Sequence, residues 1–543
     1  MTIITPHQRQ ALQAHHACLL TLWLAVMLVL PAWGAAPQDA TAPAAATVTG
    51  NIYVREYRVK GAHLLNNLEV GEAVYPFLGP GRTTQDIDQA CAALEKAYHD
   101  KGYQTVTVTV PPQPGTRGIV FLQVEEMKVG KLRVKDSRFH LPGDIRRRAP
   151  SLAPGTVPNF NDVQKDIVAL NRSADLRVTP VLNPGVEPGT VDIDLNVKDK
   201  DPLHGSIELN NRYSPNTTPL RLNGSISYGN LWQLGQTFGF SFQVAPQSLK
   251  DAEVFSAYYT IPVDEVLSLT LQGTKQDSNV STLGGTDSVG RGQIIGARAN
   301  VTLPADKDFF HSLSLGMDYK HFDEVSLQST SIDYFPMSMV YGASWVGANQ
   351  FTELNAGLNF HFRGMGSDPV RFDAKRFNAD GSYIYFRGDL THTHDLPGGF
   401  EMMAKVQGQI ANHPLINNEQ LSGGGQSTVR GYLESVQLGD NGAFGTLELR
   451  SPSFIGKKGG TDGEKDKAND WRVYAFVDAG TLTLNDPLPE QKNQFNLASV
   501  GVGTRIKLRD HFNGSFDVSL PMIDQGTTLA RDVFLSFRLW ADF

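Results

Sequence analysis

The chain has only two cysteines among its 543 residues, Cys18 and Cys91. Lysine, arginine, aspartate and glutamate together make up 19% of it. After the first thirty or so positions no apolar run is long enough to form a membrane-spanning helix. Each scarcity excludes something. Two cysteines exclude a disulfide scaffold. So few charges, with a net charge of -8, exclude a basic surface for nucleic acid. The missing helix leaves a closed barrel as the way such a chain can cross a bilayer. There is no G-x-S-x-G, no H-E-x-x-H and no P-loop lysine motif. Gly501-Val502-Gly503 lacks the third glycine of a nucleotide fingerprint. No enzyme, cofactor or metal reading is therefore carried forward. His392 and His394 lie two apart beside Asp395 and are read as solvated.

What is abundant is glycine, 52 residues, in a pattern of turns and alternating segments. Ala17 to Leu30 is an apolar run, Pro31 breaks it, and Ala32-Trp33-Gly34 offers small residues for cleavage. Residues 1–34 are read as a secretory signal, and 35–50, rich in Ala, Pro and Thr, as a linker. Cleavage would leave Cys91 alone, a small buried hydrophobe among alanines.

Residues 51–127 and 128–200 read as two α+β units with the order strand, helix, helix, strand, strand. The first has its main helix at Thr84 to Asp100, with Ile87, Ala90, Cys91, Leu94 and Tyr98 at helical spacing. In the second, Asn161-Asp162 is expected to cap a helix ending at Leu170. Asp192 and Asp194 are expected on a strand edge there. Strand edges of this kind can pair with an extended polypeptide.

From 205 to 543 the period becomes two. Phe238, Phe240 and Phe242 alternate with Gly239 and Ser241, and Leu267, Leu269 and Leu271 with Ser268 and Thr270. Apolar or aromatic side chains on one face and small or polar ones on the other, over about ten residues, mark an outer-membrane barrel strand. Sixteen strands are expected, starting near 205, 219, 236, 252, 266, 291, 311, 331, 351, 382, 400, 442, 471, 498, 513 and 533. The even count places both ends of the barrel on the side of the N-terminal units. Gly456 to Asp470 stands out as a long charged connection on the short-turn side. The chain stops at an aromatic, Phe543, which reads as a barrel-insertion signal.

Between the eleventh and twelfth strands lies Gly423-Gly424-Gly425-Gln426-Ser427-Thr428-Val429-Arg430-Gly431-Tyr432. Alone it is a polar surface loop with one solvated arginine. Alongside Tyr474-Ala475-Phe476-Val477-Asp478-Ala479-Gly480, whose alternation puts Tyr474, Phe476 and Asp478 on the lumen face, it becomes specific. The two stretches match the V-R-G-[YF] and F-x-D-x-G motifs, and nearly the whole mature chain resembles the TpsB transporters of two-partner secretion. This is the haemolysin-activator and filamentous-haemagglutinin-transporter family of the outer-membrane assembly superfamily.

The resemblance implies two periplasmic POTRA domains and a sixteen-stranded transmembrane barrel in the outer membrane of a Gram-negative bacterium. It implies a transport loop motif of Val429, Arg430, Gly431 and Tyr432 that enters the lumen. There Arg430 meets the wall motif Phe476, Asp478 and Gly480. The implied partners are a secreted, β-helical TpsA-like exoprotein, outer-membrane lipid, and the barrel-assembly machinery during biogenesis. Two other readings stay open: an insertase of the same superfamily, and a passive porin-like channel. Some family members carry an N-terminal helix that plugs the pore. Residues 35–50 are too short and Pro-rich to suggest one.

Overall fold

The computed structural model describes residues 52–113, 117–281, 288–324, 330–455, 469–509 and 511–543. The expected signal (1–34), the linker (35–50) and residues 456–468 of the charged connection lie outside them. The chain divides into two compact units that meet between Asp201 and Pro202.

In the first unit, helices start where the side chains can satisfy free backbone N–H groups. Asn66 with Glu69, and Thr83 with Asp86, form reciprocal capping boxes for Asn67–Val74 and Thr84–Asp100. The longer helix buries Ala90, Cys91, Leu94 and Tyr98 against a sheet ordered Glu56–Lys60, Ile119–Glu126, Val106–Thr109. The α-helix Asn67–Val74 is followed directly by a 3-10 turn begun by Tyr75-Pro76.

The second sheet is ordered Lys128–Lys135, Thr190–Asp199, Leu176–Pro184, covered by Pro142–Arg147 and Phe160–Leu170. Two expectations are corrected here. The cap of the second helix is Asn159, whose side chain accepts the N–H of Asn161. Asp192 and Asp194 lie on the central strand, not an edge, because Lys128–Lys135 pairs parallel to it. Both are buried, and Arg133 and Lys135 neutralise them.

Asp199 closes this sheet and organises the turn after Lys135. Its Oδ2 accepts the backbone N–H groups of Arg138 (3.0 Å), Phe139 (2.7 Å) and His140 (3.0 Å). Burial alone would push the Asp199 carboxyl up. The N–H groups of Phe139 and Arg138, with His140, outweigh it and hold the carboxyl below its ordinary value. A depressed folded pKa stabilises the fold above the unfolded value near 4, and that contribution is lost as pH falls through the folded value. Proteolysis of the full chain during heating, with cuts mapped to residues 128–200, should show constant resistance above about pH 5. Resistance should fall below about pH 4, and Asp199→Asn should be weaker at neutral pH and lose that acid dependence. Identical profiles for the two chains would refute this role.

The second unit is a closed antiparallel barrel from Leu203–Asn210 to Phe534–Asp542. It has sixteen strands, the eighth in two pieces, Thr330–Tyr334 and Met337–Val346, both paired with the seventh. Pro336, which has no N–H for the ladder, sits at the break. Outward residues such as Ile226, Phe238, Leu271 and Met317 are exposed and form the lipid face. The largest shift from expectation is in strand fourteen. It starts at Gln494, because Gln494 to Leu497 extend the ladder with Gly480 to Thr483.

Between strands nine and ten, the helix Pro369–Lys375 packs against Thr330–Tyr334. Its Phe372 packs with Phe322, Ile332, Tyr334, Ala379 and Ile416. Ile416 belongs to the connection between strands eleven and twelve, and this connection carries the site.

Candidate functional site: an arginine-tipped loop seated in the lumen

Strand eleven (Glu401–Ala411) and strand twelve (Asn441–Arg450) are neighbours, yet 29 residues, 412–440, lie between them. The segment turns inward and is mostly buried. Its neck is a short antiparallel pair, Leu421–Gly423 with Gln437–Gly439. Gly424 and Gly425 follow at φ 99° and 92°, a left-handed backbone that a side chain would strain. At Gly425 a Cβ would also strike the Glu434 carboxylate. Thr428 closes the turn, exchanging hydrogen bonds with the Gly424 backbone. Val429 and Tyr432 fill an apolar cluster with Leu421, Phe444, Leu482 and Leu497. The Tyr432 hydroxyl donates to Ile523 O at 2.8 Å, just past the strand that ends at Pro521.

Arg430, only 7% exposed, stands between these anchors. Its Nε and Nη2 donate to the two oxygens of Asp478 at 2.7 and 2.9 Å. Its own backbone N–H adds a third bond to Asp478 at 3.1 Å. The guanidinium carbon lies 3.5 Å from the centroid of the Phe476 ring, a cation–π contact. Phe476 and Tyr474 in turn lie across Gly501 and Gly503 of strand fourteen, where any Cβ would collide with the rings. That is the structural work of the Gly501-Val502-Gly503 stretch. Gly480 serves similarly beneath Phe444. Strand thirteen (Asp470–Thr483) thus brings Phe476, Asp478 and Gly480 to the loop that carries Val429, Arg430, Gly431 and Tyr432.

One residue of this seat was absent from the sequence reading. Arg430 Nη1 donates to Glu448 Oε2 at 2.7 Å. Glu448 is fully buried and also takes Arg450 Nε at 2.7 Å and Arg505 Nη2 at 3.1 Å. Arg450 continues to Glu401, and Arg472 joins Glu401 to Asp470. Four guanidiniums and four carboxylates therefore alternate from the loop tip along the wall to the starts of strands eleven and thirteen. Strand twelve carried the signal: Leu447 and Leu449 face lipid, which forces Glu448 inward.

Phe543 pairs its backbone with Gly205 at the closure of the barrel, and its ring covers that glycine. His392 and His394 stack on one face of strand ten, and His392 Nδ1 contacts Thr352 Oγ1 at 2.8 Å. Among the described residues, no three His, Cys, Asp or Glu side chains are arranged to hold a metal ion.

A closed sixteen-stranded barrel with two POTRA-like domains before it is the architecture of an outer-membrane transporter of two-partner secretion. The family model for the haemolysin secretion/activation proteins ShlB/FhaC/HecB matches residues 189–506, and that for the ShlB-type POTRA domain matches residues 52–126. The chain belongs to this family. It is 22% identical over 497 residues to the outer membrane transporter CdiB of Escherichia coli O6:K15:H31 (strain 536 / UPEC), covering 86% of this chain and 78% of that one. Its fold resembles CdiB from Escherichia coli, with TM-score 0.61 and 20% identity over the whole of both chains. It also resembles BamA from Haemophilus ducreyi lacking POTRA domains 1–3, with TM-score 0.55 and 15% identity over 91% of this chain and all of that one. At these identities the structural likenesses speak for the fold. The barrel lies in the outer membrane with the POTRA domains in the periplasm.

Proposed function

We propose that the outer strands of the two POTRA domains capture an unfolded exoprotein by β-augmentation and that the barrel passes it outward as an extended chain. The exoprotein is read as β-helical and TpsA-like. The sequence carries no nucleotide motif, so folding outside the cell would supply direction. Val429, Arg430, Gly431 and Tyr432 act as the transport loop and Phe476, Asp478 and Gly480 as its seat. Phe543 serves as the signal read by the barrel-assembly machinery, and outer-membrane lipid surrounds the finished barrel. Residues 1–34 are taken as the secretory signal, and 51–127, 128–200 and 205–543 as the domains.

The observation that carries this reading is the buried arginine at the tip of a loop that enters the lumen. A barrel that served only for diffusion would need neither POTRA domains nor the buried Arg430–Asp478 pair. The capture step is tested by photo-cross-linking in cells that make the exoprotein. A photoreactive side chain at Arg58, on the outer strand Glu56–Lys60, should label the exoprotein. One at Lys96, exposed on the helix, should not. Equal labelling at both sites, or none at Arg58, would dismiss edge capture.

A further inference from the structure

Four residues beyond Arg430, Glu434 is as deeply buried as the motif itself. Its Oε1 accepts Arg212 Nε at 2.7 Å and the backbone N–H of Gln426 at 3.1 Å. Its Oε2 takes Arg212 Nη2 at 3.4 Å. Its own N–H donates to Tyr213 O at 3.0 Å. One carboxylate therefore does two things. It closes residues 426–434 into a ring with Arg430 at its centre, and it ties that ring to the chain leaving the first barrel strand.

The place of that tie matters. Strand one meets strand sixteen over five register pairs, from Arg538 with Asn210 to Asp542 with Ser206. The flanking contacts, strand one with two and fifteen with sixteen, each have eight. Beyond Asn210 the seam is continued by a side chain: the Asn211 amide donates to Leu535 O and accepts from Phe537 N, both at 2.8 Å. Arg212 and Tyr213 come next. The loop tip is thus held at opposite flanks of the seam, by Arg430 on strands twelve and thirteen and by Glu434 at the end of strand one.

We propose that Glu434 with Arg212 is a second latch of the loop, which opens when the loop leaves the lumen, and that Glu434 is a positioning residue for Arg430. This rests on the transporter reading above. A tip tied at two points gives each tie a high effective concentration, because while one holds the other re-forms intramolecularly. Loss of either latch therefore weakens the other. Charge assistance makes the Arg212–Glu434 pair a strong tie for its size.

The test uses the full chain in a Cys18→Ser, Cys91→Ser background with Arg212→Cys and Glu434→Cys, in planar bilayers, with potassium chloride current as the probe. Joined by a cleavable thiol cross-linker, the channel should lose its openings down to the bilayer background. After cleavage it should open more often than the unaltered chain. Opening that is the same before and after cleavage, whether silent or active, would overturn the latch. Glu434→Gln, which keeps the side-chain shape, provides a second reading. It should raise the opening frequency with the barrel intact, and a frequency equal to that of the unaltered chain would also overturn the proposal. Transport itself is judged apart, by secretion from cells carrying the unaltered chain. Its failure there would remove the transporter reading and leave the current measurements standing.

Discussion

Arg430→Ala is expected to stop export of the exoprotein while the barrel still inserts. The substitution removes the three hydrogen bonds that the guanidinium makes, and it leaves Asp478 and Glu448 buried with one cation fewer. Breaking an exposed ion pair costs well under ~1 kcal/mol, and breaking a buried one about 3–5 kcal/mol. Exposures of 7% for Arg430, 1% for Asp478 and 0% for Glu448 select the larger figure. That corresponds to roughly a hundred-fold or greater shift of the loop away from its seat.

Arg430→Lys should fall between the two, because a point charge cannot hold Asp478 by two parallel bonds, reach Glu448 and stack flat on Phe476 together. Exoprotein in the culture medium measures export, and heat-dependent gel mobility of the barrel measures insertion. Unchanged export by Arg430→Ala would remove the loop from the mechanism. Loss of the barrel itself would make Arg430 a folding residue.

The second large effect is expected at the last residue. Phe543 exchanges backbone hydrogen bonds with Gly205 at 3.1 and 3.0 Å, and its ring lies on Gly205. Deleting it shortens a seam that has only five register pairs. Two lost hydrogen bonds of about 1 kcal/mol each amount to roughly a thirty-fold penalty on closure. The amount of folded barrel in the outer membrane should drop accordingly. Phe543→Ala keeps the backbone pairs and loses only the ring. If the ring is what the assembly machinery reads, that variant also accumulates unassembled in the periplasm. Normal barrel levels in both variants would deny Phe543 either role.

The barrel was legible in the sequence because lipid outside and a polar lumen inside leave a period of two on every strand. Strand starts could be placed within a few residues. The break at Pro336 is a backbone effect that the alternation of side chains does not register. Asp192 and Asp194 were misplaced for a different reason. Centre or edge depends on the order of strands in the sheet, and here that order is set by parallel pairing with Lys128–Lys135, some sixty residues earlier.

The site divides in the same way. The family motifs pointed to Arg430 and Asp478, and the phase of strand twelve could have added Glu448. Glu434 was beyond reach, since Arg212 lies 222 positions away and meets it only once the barrel has closed.

The most direct test of the account reconstitutes this chain alone into lipid vesicles with the POTRA domains outside. Unfolded exoprotein is added outside without nucleotide, and protease is applied afterwards. The account predicts that exoprotein becomes protected inside vesicles bearing the unaltered chain and stays exposed with vesicles bearing Arg430→Ala. Protection that requires a further protein or nucleotide, or equal protection by both chains, would contradict it.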